Sequence, residues 1–99
     1  MGISATGQLL RSPTTPKTLR SPEHIALMGV LREARLAASM TQADLAGRLG
    51  RPQSYVAKIE TGERRVEVVE FILIARAMGR APGEMVEEVA RKAKGSDDQ

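Results

Sequence analysis

The sequence predicts an all-α domain of five helices, and three observations lead there. Apolar residues recur every three or four positions in each periodic segment, and no segment alternates with the two-residue period of a half-buried strand. The apolar share of 41% against 27% charged is ordinary for a small globule, and 99 residues make one domain at most. Two of the five segments are short and meet across a turn containing Gly50, so the remaining three must close around them.

Residues 1–20 are rich in Ser, Thr, Gly and Pro and lack helical periodicity, so they are expected to form a flexible arm. The arm is basic, because residues 1–22 carry Arg11, Lys17 and Arg20 and no acid. It is either a plain tail or an element that touches a phosphate or a minor groove. Ser21, Pro22 and Glu23 then read as a helix opening: a cap, a proline at the first position and an acid in the first turn. The first helix should run from about Pro22 to Ala38, with Ile25, Met28, Leu31, Leu36 and neighbouring alanines on its apolar side. Gly29 weakens its middle by about 1 kcal/mol relative to alanine. His24 is the single histidine, and with no carboxylate or cysteine at ligand spacing it reads as an exposed side chain.

The second helix covers Gln42 to Leu49. Leu45, Ala46 and Leu49 fall on one face, and Asp44, Gly47 and Arg48 turn away. Thr41 stands at the N-cap, and Asp44 at the third position suits the positive helix end. Gly50 follows, where a chain leaving a helix turns through a left-handed conformation, and Pro52 fixes φ for the opening of a third helix about three residues on. In that helix Val56 and Ile59 face inward and leave Gln53, Ser54, Ala57 and Lys58 outside, while small Ala46 allows a close crossing. Thr61 and Gly62 end it. The fourth helix, about Val68 to Met78, carries Val69, Ile72, Leu73 and Ala77 near one stripe, with Phe71 as its core anchor, and stops at Gly79. The fifth, about Pro82 to Lys92, has Met85, Val86 and Val89 at helical spacing, acids early and bases late, in keeping with the helix dipole. Residues 94–99 are expected to be a disordered tail, which leaves 21–93 as the folded domain.

Composition narrows the function classes. Only Tyr55 and Phe71 are aromatic, too few rings to stack single strands or RNA bases. The absence of cysteine excludes disulfides, iron–sulfur clusters and thiolate zinc sites, and no histidine cluster suggests another metal. One histidine, no nucleophile paired with a base and no glycine-rich phosphate loop leave no catalytic set, so neither enzyme nor cofactor is expected. No apolar run is long enough to span a membrane, and no secretory signal is visible, so the expected place is the cytoplasm, on the nucleoid. The net charge of +3 favours an anionic partner, and its distribution says more than its size. Residues 41–65 hold Arg48, Arg51, Lys58, Arg64 and Arg65 against Asp44, Glu60 and Glu63, whereas residues 66–99 hold five bases against seven acids.

Two short helices joined by a glycine-containing turn form a helix-turn-helix unit, whose second helix enters the DNA major groove. From Leu31 to about Val89 the chain resembles the lambda-repressor-like, Cro/C1-type (XRE family) DNA-binding domain, through LREARLAASMTQADLA, QSYVAKIETGERR and FILIARAMG. Gln42, Ala46, Gly50, Val56, Ile59, Glu60 and Gly62 stand at the family's spacing without a gap. Three residues depart from it: Arg51 replaces an apolar turn residue, Pro52 a Ser/Thr cap, and Ser39 stands where Gly or Asn is common.

The resemblance implies a five-helix lambda-repressor-like fold and a transcriptional regulator, expected as a repressor, that binds double-stranded DNA with sequence specificity. It implies base contacts from Gln53, Ser54 and Lys58, where Gln suits adenine, Lys suits guanine and Ser discriminates little. Phosphate contacts are expected from Thr41, Gln42, Arg51, Tyr55, Arg64 and Arg65, and a structural ion pair from Arg35 and Glu60. A homodimer would reach two half-sites through Met85, Val86 and Val89, or these residues simply close the monomer's core. An antitoxin or another interaction module on the same fold, partnered by a toxin or co-regulator, is the alternative.

Overall fold

The structure, a computed structural model, describes residues 21–97 as five helices: α1 (Pro22–Ala37), α2 (Gln42–Leu49), α3 (Gln53–Thr61), α4 (Val68–Ala77) and α5 (Pro82–Asp97). No strand occurs among the described residues. The arm expected over residues 1–20 lies outside them, as do residues 98–99 of the expected tail.

Local chemistry sets the helix ends. The Ser21 hydroxyl accepts from the His24 N–H at 3.1 Å and opens α1. At α2 the Asp44 N–H donates to Thr41 Oγ1 and the Thr41 N–H donates to Asp44 Oδ2, both at 2.9 Å, a reciprocal capping box. Gly50 leaves α2 with φ of 67°, and three residues later α3 begins. Pro52 is the residue before α3 rather than its first, and no side chain caps that helix. The Tyr55 N–H of its first turn donates to the Pro52 carbonyl at 2.9 Å, and the helix start has no side-chain acceptor. Ser39 has φ of 59°, which explains why its position suits Gly or Asn: the α1–α2 turn needs a left-handed residue.

The core joins all five helices: Val30, Leu31, Ala34, Met40, Leu45, Ala46, Tyr55, Val56, Ile59, Phe71, Ile74, Ala75, Met78 and Met85. In α1 the buried sector is Ala26, Val30, Leu31, Ala34 and Arg35, whereas Ile25 and Leu36, expected inside, are 54% and 49% exposed. The reason is the double packing of α1 against α5 and α3, which selects a sector with small residues that allow close approach. In α4 the stripe expected from Val69 and Leu73 points outward, and Phe71, Ile74, Ala75 and Met78 fill the core. That helix is apolar nearly all round, so periodicity could not choose its inner face.

The fifth helix corrects two expectations. It continues past Lys92 and through residue 94 to Asp97, because Ala93 is buried and Lys92 Nζ pairs with Glu33 of α1 at 2.8 Å. Met85 is completely buried within its own chain, so it closes the core and offers nothing to a second copy. Val89 is partly buried against the core, and Val86 alone of the three is mostly exposed.

A Cβ added at Gly29 meets no atom within 4 Å. Gly29→Ala should therefore stabilise the fold by about 1 kcal/mol, read as a higher denaturant midpoint with unchanged slope. A lower midpoint would contradict the open space at this position.

Candidate nucleic-acid interface

The site begins inside the protein. Arg35 is held almost without exposure on α1, and its guanidinium meets Glu60 of α3 through two hydrogen bonds, Nε to Oε2 at 2.7 Å and Nη2 to Oε1 at 3.0 Å. Its third nitrogen, Nη1, donates to the Met40 carbonyl at 2.8 Å, which ties down the α1–α2 turn. Glu60 Oε1 also accepts from Gln42 Nε2 at 3.0 Å, and Gln42 Oε1 accepts from Gln53 Nε2 at 2.8 Å. A continuous chain of charged and amide groups thus leads from the core to the outer face of α3. It fixes the amide orientation of both glutamines, since Gln42 must donate to the carboxylate and accept from Gln53.

The outer face of α3 carries Gln53, Ser54 and Lys58, all exposed. Beside it runs a groove lined by Arg51, Pro52, Ser54, Tyr55, Lys58, Glu63 and Arg64. The Tyr55 ring is mostly buried, and the guanidinium carbons of Arg51 and Arg64 each lie 4.7 Å from its centroid. Burial pushes the Tyr55 phenol above its usual pKa, and the Glu70 carboxylate beside it adds to the rise. Glu70 stands in the first turn of α4 and accepts from Arg64 Nη1 at 3.1 Å, Arg64 Nη2 at 2.8 Å and the Glu67 N–H at 3.0 Å. Those donors, Arg64 first, hold the Glu70 carboxyl at about 2. One side of the domain therefore presents an amide-bearing helix, an uncapped helix start and a cationic groove.

A helix-turn-helix family model matches residues 31–85, which span the C-terminal part of α1, all of α2, α3 and α4, and the start of α5. The chain belongs to the XRE family of helix-turn-helix proteins. A solved XRE-family-like protein from Pseudomonas syringae pv. tomato str. DC3000 is 44% identical, covers 76% of this chain and 92% of its own, and superposes with a TM-score of 0.69. No curated protein matches. The family is one of DNA-binding transcription regulators, and this XRE-family chain has the five helices of its fold. None of its described helices is long and apolar enough to cross a membrane.

The structure gathers most of the residues expected to meet DNA on that one side. Arg51, Tyr55 and Arg64 converge on the groove, and Gln42, Gln53 and Glu60 are linked by hydrogen bonds. Thr41 is committed to its capping box through both hydroxyl and N–H. Arg65 lies apart from the groove lining, and its charge adds to burial in lowering the pKa of His24. His24 is itself partly buried and lines an apolar cleft with Leu27, Val66, Phe71, Val86 and Val89, which corrects its expected exposure. Sequence reading missed two partners, the Gln42–Gln53 link and Glu70. The only signal for Glu70 was its place three residues after Glu67, the spacing of a capping box.

Breaking one half of the Arg35–Glu60 pair strands the other charge in a nearly solvent-free position. Arg35→Ala and Glu60→Ala should each destabilise the fold by about 3–5 kcal/mol. Denaturation should also show that the double substitution costs less than the sum of the single ones. Additive losses would mean that the pair is not coupled.

Proposed function

We propose that this protein binds double-stranded DNA with sequence specificity and acts as a transcriptional repressor. The observation that carries the reading is the linked and exposed face of α3, where Gln53 is fixed by Gln42 and flanked by Ser54 and Lys58. A glutamine held in one orientation presents its remaining N–H and carbonyl in a set direction, as a bidentate contact to adenine requires. Lys58 one turn on supplies a donor for guanine, and Ser54 fills the space between without a strong preference.

The sugar-phosphate chain lies, in this reading, along the groove of Arg51, Tyr55 and Arg64. The start of α3, which no side chain caps, adds a positive helix end, and Gln42, at the start of α2, adds an amide N–H not used by Glu60. Bound in this way, the domain would repress by occluding the DNA beneath it.

One recognition helix reads only a few base pairs, so two copies acting on half-sites about 34 Å apart complete the proposal. Exposed Val86, with the neighbouring Val68 and Val89 of the apolar cleft, gives the surface through which they meet. Sedimentation on a selected palindromic duplex at saturating protein should give two chains per duplex, reduced to one by Val86→Asp; one chain per duplex in the unsubstituted protein would refute the dimer.

Selection from a random duplex library supplies the preferred site, and titration then separates the two kinds of contact. Gln53→Ala and Lys58→Ala should each lose about 1–3 kcal/mol on that site and much less on random duplex. Arg51→Ala should weaken both DNAs similarly and flatten the plot of log affinity against log salt by about one. If all three leave affinity and salt slope unchanged in folded protein, the chain is an interaction module instead.

A further inference from the structure

Glu63 lines the groove beside α3, and a second acid, Glu70 of α4, stands outside that lining but takes up one of the groove's cations. Glu70 is 16% exposed, receives two N–H groups of Arg64, and lies against the Tyr55 side chain that Arg51 and Arg64 cover. The paired Arg64 side chain is 37% exposed, so the ion pair faces the groove through its cation. Arg64 spends two of its five N–H donors on Glu70 and one on the Arg65 carbonyl at 2.8 Å. Two donors are left to hydrogen-bond a phosphate, but the pair as a whole brings no net charge.

We propose that Glu70 sets the sequence-independent DNA affinity of this protein by neutralising Arg64 at the groove that faces the sugar-phosphate chain. The inference rests on the DNA-binding reading above and deepens it. Of the three cations lining the groove, Arg51, Lys58 and Arg64, only Arg64 is matched in this way by a bidentate carboxylate. Sequence-independent binding is a counterion-release effect that scales with net phosphate neutralisation, so a neutral pair contributes geometry without contributing to it. A regulator gains from this because the many random sites of a chromosome compete with its operator through that term alone.

Capping does not account for the charge. The Glu67 N–H needs an acceptor at the third position of α4, and glutamine serves there as well as glutamate. Glu70→Gln therefore keeps the acceptor, removes the charge and leaves Arg64 as an unpaired cation over Tyr55.

The test uses the full chain and a random-sequence duplex, with fluorescence anisotropy from 50 to 200 mM KCl and a thermal melt on each variant. Glu70→Gln should bind the random duplex more tightly than the unsubstituted protein at 50 mM. Its log–log salt slope should be steeper by about 0.9, so that its advantage shrinks roughly 3–4-fold by 200 mM. The double variant Arg64→Gln with Glu70→Gln has the original sum of charges, and its slope should return to that of the unsubstituted protein. Glu70→Asn provides a second neutral variant with the same expectation should Glu70→Gln not fold. Weaker or equal binding by a folded neutral variant overturns the inference, because Glu70 then positions Arg64 rather than offsetting it. If the unsubstituted protein binds neither random nor selected duplex, the DNA-binding reading itself falls, and this inference with it.

Discussion

The interaction on which the rest depends is the buried contact between Arg35 and Glu60. Its two charges sit at 7% and 5% side-chain exposure, where an unmatched ion is costly, so each must find the other and satisfy its remaining donors and acceptors. Arg35 does so through the Met40 carbonyl, which holds the turn between α1 and α2, and Glu60 through Gln42 at the start of α2. Three helices are thereby set in register by one pair of side chains. Such a pair contributes more to a single arrangement than to net stability, since an apolar pair of similar volume could fill the space without directional demands.

From that pair the order passes outward. Gln42 is fixed by Glu60, and Gln53 by Gln42, so the outer face of α3 inherits its geometry from the core. A surface glutamine has several rotatable bonds, and holding it before a partner arrives lowers the ordering cost of binding. The groove beside it is organised on a second anchor, the Tyr55 ring with Arg51, Arg64 and Glu70 around it. The two clusters meet on α3, which is only nine residues long and therefore owes its position to packing through Tyr55, Val56 and Ile59 more than to its own helical preference.

The same arrangement divides the cationic residues by role. Arg35 is structural and hidden, Arg48 donates to the Ala77 carbonyl at 3.1 Å and braces α2 against the end of α4, and Arg80 pairs with Glu88 near the start of α5. A basic count alone would have placed all of them at the disposal of an anionic ligand. Arg51 and Lys58 remain on the groove, and Arg64 stands there already matched by a carboxylate.

The sequence by itself determined the five helices, the capping box of Thr41 and Asp44, the left-handed exit at Gly50 and the inward Val56 and Ile59 of α3, because caps, glycine turns and short-range periodicity are local effects. It also carried the family, through residues whose spacing is fixed by the two-helix unit. Only the tertiary structure decided which side of α4 is buried, since Val68, Val69 and Leu73 make that helix nearly as apolar outside as in. Packing likewise turned Ile25 and Leu36 outward, took Met85 fully inside and carried α5 on to Asp97 through the burial of Ala93. Gln42 with Gln53, and Arg64 with Glu70, were also hidden from the sequence: their contacts depend on helix crossing angles and side-chain directions, which no residue spacing specifies.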